Sequence, residues 1–206
     1  AEAMSHVRAL LELRRRARSP FERDALQEAH RVLFEDAPVS ARMCVLPDGT
    51  RAAMEPGVLR QHLVKVGMHV APDPAELPEG LAEWSRQYVR EAAAAQQVVA
   101  AIAAHHRALW LHPFPDGNGR ASRLCLELAL EQAMPSAAGL WSASRALGLR
   151  RTQYFEALAG ANALARAAAG ERGYLSPGGL AAWCTWAASA PSLIVVTARA
   201  APSPSP

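Results

Sequence analysis

Lysine is almost missing from this chain: Lys65 stands alone, and arginine supplies the rest of the 22 basic residues. Set against 19 acidic residues, that leaves a net charge of only +3, too small for a nucleic-acid footprint. Aromatics are scarce as well, at 6%, and none interleaves with the basic run Arg14-Arg15-Arg16, which reads as a solvated helix face. Cysteine occurs three times, at Cys44, Cys125 and Cys184. An odd number at such distances makes neither a disulfide framework nor a zinc pattern, so reduced and mostly buried thiols are expected. No apolar run reaches the roughly 18 residues of a membrane span. The first residues lack the charged-then-apolar order of a signal peptide. The expectation is a soluble chain of a reducing compartment, bacterial cytoplasm, with export by a route lacking such a signal left open. Valine, isoleucine and threonine are sparse beside alanine and leucine, which favours helix over strand.

What is present is helical periodicity. Val7, Leu10, Leu11 and Leu13 predict an amphipathic helix over 4–17. Ser19-Pro20 reads as the cap and first position of a second helix, running to about Asp36 with Phe21, Ala25, Leu26, Ala29, Val32 and Leu33 on one side. Residues 37–57 are broken by Pro38, Pro47 and Pro56, a loop with room for a short hairpin. Leu63, Val64, Lys65 and Val66 lie between Gly57 and Gly67 and predict a small hairpin or extended flap. Prolines 72, 74 and 78 then mark a loop. From Leu81 to about Leu111 the pattern predicts one long helix ended by Pro113. Another starts at Asn118 or Gly119 and stops at Pro135, and further helices are predicted at 142–148, 151–168 and 177–189. Residues 201–206 are a Pro/Ser tail expected to be disordered. At 206 residues the length suits one domain. The organisation expected is an N-terminal helix (1–23), a main domain (24–190) and a tail (191–206): all-α, a single helical domain with a small β-hairpin flap.

Residues His112-Pro-Phe-Pro-Asp-Gly-Asn-Gly-Arg120, then Arg123, concentrate the chemistry. They fall between two helices. Gly117 and Gly119 lack a Cβ, so backbone can approach a ligand closely there. The N–H groups opening the following helix favour an anion such as a diphosphate. Arg120 and Arg123, three apart on a helix, can each fork onto phosphate oxygens. Asp116 is a hard oxygen ligand suited to Mg²⁺, and His112 can accept a hydroxyl proton. His105 and His106 offer no i,i+4 pair with His112, so they are expected to be satisfied helix histidines rather than metal ligands. Tyr154, Phe155 and the tryptophans 84, 110, 141, 183 and 186 are expected in or near the core.

The run matches His-x-Phe-x-Asp/Glu-Gly-Asn-Gly-Arg-x-x-Arg at every fixed position and so resembles the signature of the Fic family, most of whose enzymes move AMP from ATP to a protein hydroxyl. Gly57-Val-Leu-Arg60 with Val64 and Val66 is similar to the segment and flap that members place before the long helix. His105 also sits where many relatives have a histidine. The resemblance implies His112 as base, Asp116 positioning Mg²⁺, and Gly117, Asn118 and Gly119 as anion hole. It further implies Arg120 on the β-phosphate, Arg123 on the γ-phosphate, and Phe114 as a buried anchor. The flap valines Val64 and Val66 are either ordinary core strand or, with Leu63 and Lys65, an edge that docks a target protein by strand pairing. ATP would be the co-substrate and pyrophosphate the leaving group. Transfer of phosphate or phosphocholine, and a regulatory module that binds nucleotide without transfer, are the competing readings. Many members carry an inhibitory helix, Ser/Thr-x-x-x-Glu-Gly/Asn, whose glutamate pairs with the second motif arginine. Thr152 to Glu156 has the spacing, but Ala157 follows. The expectation is a chain not inhibited through Arg123 by its own glutamate. An inhibitor would be absent, supplied by an antitoxin partner, or carried before residue 1.

Overall fold

A computed structural model describes residues 2–16, 19–46, 48–88, 93–139, 142–167 and 177–189. The predicted tail, Trp141 and the alanine at 92 lie outside these described residues. Eight helices account for most of them: α1 Glu2–Arg16, α2 Ala25–Phe34, α3 Leu77–Tyr88, α4 Ala94–Leu111, α5 Asn118–Ala133, α6 Ala143–Leu149, α7 Arg151–Ala167 and α8 Pro177–Ser189. Two short antiparallel hairpins interrupt them, β1 Met43–Val45 with β2 Arg51–Ala53, and β3 Lys65–Val66 with β4 His69–Val70. The all-α expectation with a small flap holds. No helix among the described residues is long and apolar enough to cross a membrane.

The helix α5 follows its sequence closely. Its Leu124, Leu126 and Leu130 are buried, and it ends at Ala133, before Pro135. Helices α4 and α5 contribute to both apolar clusters of the interior. One gathers Leu26, Leu33, Phe34, Phe114 and Leu124; the other gathers Ile102, Leu126, Leu130, Leu147, Tyr154 and Trp183. The loop between α4 and α5 is therefore anchored at both ends in the interior. Ser142 caps α6, its hydroxyl accepting from the Arg145 N–H at 3.3 Å.

Four local expectations are corrected. The second helix starts at Ala25, not Pro20; Ser19 to Asp24 form turns, in which the Ser19 hydroxyl accepts from the Phe21 N–H at 3.4 Å. The long helix over 81–111 is two helices. The Trp84 indole donates to the Ala104 carbonyl at 2.9 Å, whereas one continuous helix would hold those residues about 30 Å apart. Each helix buries an apolar face on the other, and hydrophobic periodicity runs through both alike. Pro78 belongs to the first turn of α3, where its missing N–H costs nothing. The run at 14–16 is not simply a solvated face. Arg14 donates through Nε to Glu131 of α5 at 2.9 Å, and Arg16 pairs with Glu28 of α2, while Arg15 remains exposed.

The predicted core aromatics divide. Trp84, Trp183 and Tyr154 are buried, Trp110 and Trp186 half-buried, and Phe155 is 52% exposed. Of the thiols, Cys125 is buried, and Cys44 and Cys184 are half-buried and unpaired.

Candidate active site

Pro113 decides the shape of the corner. Proline disfavours helical backbone in the residue before it, and His112 leaves α4 in the left-handed region, at φ 48 and ψ 58. No other non-glycine residue among those described has positive φ, a conformation costing about 1–2 kcal/mol for an L-residue. The ring Nδ1 lies 3.3 Å from the Leu109 carbonyl oxygen. A carbonyl can only accept, so Nδ1 carries the proton and Nε2 is left as a bare acceptor. Burial, the largest cause, lowers the His112 pKa to about 4. Near pH 7 the ring is a neutral base.

Arg60 holds this corner from the flap side. Its buried guanidinium donates to the carbonyls of His112 at 2.8 Å, His62 at 2.8 Å and Pro72 at 2.7 Å, and its own N–H donates to Pro113 at 2.9 Å. One fork thus ties both ends of the flap to the backbone that carries His112. The flap turns at Gly67-Met68, with Gly67 at φ 59 in the first central position of a two-residue loop. His69 donates from Nε2 to the Trp110 carbonyl at 2.7 Å and packs on that indole.

The loop itself is closed by side chains. Phe114 is fully buried. The Asn118 amide donates to the Phe114 carbonyl at 2.8 Å while its oxygen accepts from the Phe114 N–H at 2.9 Å. The Asn118 side chain is thereby spent on the loop, leaving its backbone N–H as the group it could offer an anion. Gly117, at φ 79, caps α5. The N–H groups of Asn118 and Gly119, first in α5, lack the carbonyl a turn earlier that interior residues use.

A cavity of about 580 Å³ opens between the flap, α4, α5 and α7. It brings together His112, Gly119 and Arg123 with Val66 of the flap. Asp116, Gly117, Asn118 and Arg120 are not among its walls. The Asp116 carboxylate, 58% exposed, accepts from the Gly117 N–H at 2.5 Å and from Arg120 at 3.3 Å. Arg120 also lies over the Phe34 ring at 4.6 Å. Among the described residues Arg123 is ion-paired with no carboxylate; it lies against the Tyr154 hydroxyl. Leu63, Lys65 and Val66 are exposed and Val64 half-buried, so the flap is not an ordinary core strand.

His105 is satisfied as expected, with Ser122 at 2.6 Å and Tyr154 at 3.0 Å. His106 departs from expectation: it is buried, and neither ring nitrogen has a partner among the described residues. No group of three or more His, Cys, Asp or Glu able to hold a metal occurs among the described residues. Sequence reasoning missed His30. It interrupts the apolar stripe of α2 four residues after Leu26 and is fully buried against the loop.

The sequence model of the Fic/DOC family matches residues 20–130, and the chain belongs to that family. It is 37% identical over 81 residues to the protein adenylyltransferase Fic of Drosophila ananassae, and 36% identical to that of Drosophila melanogaster. The aligned part is 39% of this chain and 16% of either fly protein. Among solved structures, a Fic-domain signalling protein from Bacteroides thetaiotaomicron superposes with a TM-score of 0.64 at 15% identity, covering 97% of this chain and 70% of that one. A Fic family protein from Desulfovibrio desulfuricans does so with a TM-score of 0.56 at 19% identity, covering 98% and 53%. These establish a Fic fold.

Proposed function

We propose that the chain is a protein adenylyltransferase, moving AMP from ATP to a hydroxyl side chain of a target protein. The observation that carries this is the state of His112. Its ring is neutral, its Nδ1 proton is committed to Leu109, and Nε2 is bare in a residue lining a nucleotide-sized cavity beside Arg123. Nε2 takes the proton of a Tyr, Ser or Thr hydroxyl. The freed oxygen pair forms a bond to the α-phosphorus, the bond from that phosphorus to the bridging oxygen breaks, and its electron pair leaves with pyrophosphate. The proton on His112 then passes to the leaving group or to water. Positioning and charge stabilisation carry most of such a transfer.

The α5 N-terminus, through the N–H groups of Asn118 and Gly119, would face the phosphates. Arg123 would hold the γ-phosphate, and Arg120, exchanging its contact with Asp116, the β-phosphate. An exposed single carboxylate with no all-protein cage suits Mg²⁺, which takes one or two carboxylates together with phosphate oxygens. Asp116 would hold that ion, which would neutralise charge between two phosphates. The exposed edge of β3 with Leu63, Lys65 and Val66 supports docking of a target strand. Arg123, having no carboxylate partner among the described residues, is equally open to the glutamate of an inhibitory antitoxin.

Labelled ATP tests the reading. Label at the α-phosphate should appear on a target protein while γ-label appears in pyrophosphate. Transfer of the γ-label to protein would replace AMP by phosphate, and no modification with Mg·ATP would leave a binding module. His112→Ala should abolish transfer while ATP affinity stays within about threefold of wild type, less than one hydrogen bond's worth.

A further inference from the structure

His30 reaches the motif loop from α2, across 86 residues of sequence. The Gly57 N–H donates to its Nδ1 at 2.8 Å. An N–H can only donate, so Nδ1 is bare and the proton of the neutral ring sits on Nε2. That N–H points at the carbonyl oxygen of Asp116, 3.1 Å away. The ring also stacks on Phe114 with centroids 4.0 Å apart and an interplanar angle of 20°. It is fully buried.

The peptide group joining Asp116 to Gly117 is therefore held at both ends. Its carbonyl accepts from His30. Its N–H, on Gly117, donates to Oδ1 of Asp116 itself at 2.5 Å. Rotation of that peptide plane would carry the N–H away and release the carboxylate, which is otherwise more than half exposed. We propose that His30 is a positioning residue that aims the Asp116 carboxylate by fixing this one peptide plane. The proposal rests on the reading of Asp116 as the Mg²⁺ ligand. His30 touches neither metal nor substrate, and its effect passes through the backbone.

Two near-isosteric variants separate the halves of the imidazole. His30→Gln sets an amide N–H near the place of Nε2, keeping the donor to Asp116. His30→Asn sets a carbonyl oxygen near the place of Nδ1, keeping only the acceptor for Gly57. Both lose the ring stacked on Phe114, so lost packing is common to the pair. Calorimetry with the full chain would compare ATP affinity with Mg²⁺ and with chelator. His30→Gln should keep the Mg²⁺ enhancement within about twofold of wild type, and His30→Asn should lose about tenfold of it, the scale of one hydrogen bond. Metal-free ATP affinity should be the same in both. Equal losses in the two variants, or a loss unaffected by Mg²⁺, would overturn the proposal.

A second readout uses no metal. The Gly117 amide should stay slow to exchange its proton in wild type and His30→Gln and become fast in His30→Asn; equal exchange in both variants refutes the positioning role. Should wild-type affinity not respond to Mg²⁺, Asp116 loses its assignment as metal ligand, and this exchange comparison still decides what His30 does. Nitrogen NMR of the unmutated protein should find the His30 proton on Nε2 at pH 7. The opposite tautomer defeats the proposal even where a variant does not fold.

Discussion

A single methyl group added at Gly117 or at Gly119 should have opposite consequences, although the two positions are neighbours on one loop. At Gly117 the new carbon would lie 2.5 Å from Phe34 Cε2 and 3.2 Å from His30 Nε2, in a backbone at φ 79. The conformation costs an L-residue about 1–2 kcal/mol, and forcing carbon into a packed interior typically costs a further ~1–3 kcal/mol. Alanine returns about 0.4–1 kcal/mol by restricting the unfolded chain. The net is a loss of roughly 1–5 kcal/mol, or about 2–20 °C in melting temperature for a chain of this size. At Gly119 the backbone is helical, and the nearest atom is Nη1 of Arg123 at 3.2 Å, the end of a flexible side chain. Alanine there gains about 0.5–1 kcal/mol of helix stability. It also occupies the wall of the cavity and pushes Arg123, so ATP affinity should fall about tenfold, one lost contact's worth. Thermal melts followed by circular dichroism, with nucleotide titration of each variant, read both effects. A Gly117→Ala variant that melts with wild type, or a Gly119→Ala variant less stable than Gly117→Ala, would refute the contrast between the two positions.

Other outcomes follow from the same contacts. Burial holds His105 and His106 well below the ordinary 6.5, each at about 3. Unfolding restores the ordinary value, so folded stability is full above that pH and drains away as pH falls through the interval below it. Each buried ring should cost about 2 kcal/mol by pH 5 relative to pH 7, read as a lower urea midpoint; a midpoint flat between those pH values contradicts it. Arg60→Lys keeps the charge but not the fork and leaves carbonyls of the flap and the His112 corner unpaired. A loss of about 2–4 kcal/mol in urea unfolding is expected, together with weaker nucleotide binding, and a variant as stable as wild type would refute the tie. Leu63→Asp, on an exposed flap position, should cut target modification about tenfold with ATP affinity unchanged. A fall in ATP affinity alone would move the target surface elsewhere.

The motif was legible because its chemistry is contiguous, and contiguity survives the absence of a fold. Pro113, Gly117 and Pro135 mark the ends of helices by local rules, so α5 was placed almost to the residue. Where local rules are silent, the sequence leaves the fold undecided. The apolar period of α3 and α4 is the same helical period, and residues 89–92 contain neither glycine nor proline, so nothing in the sequence separates the two helices. The arginines at 14–16 look alike in sequence, yet Arg14 and Arg16 reach glutamates of two other helices. Pairing at that distance leaves no trace in a charge run.

The supporting groups of the site were the hardest to read, and for one reason. His112 and Arg123 are defined by what they offer a ligand, which residue type and spacing disclose. Arg60, His30 and Asn118 are defined by backbone groups they satisfy, and any carbonyl or N–H looks the same in sequence. A single sign was available for His30: a polar ring on the apolar stripe of α2, four residues after Leu26, where burial without a partner would be costly. Such a residue must find a donor and an acceptor inside the fold. Here it finds them on Gly57 and Asp116, so the loop owes part of its rigidity to a residue of α2 that belongs to no motif. The geometry of this site is held from beyond the contiguous residues, by α2 and the base of the flap.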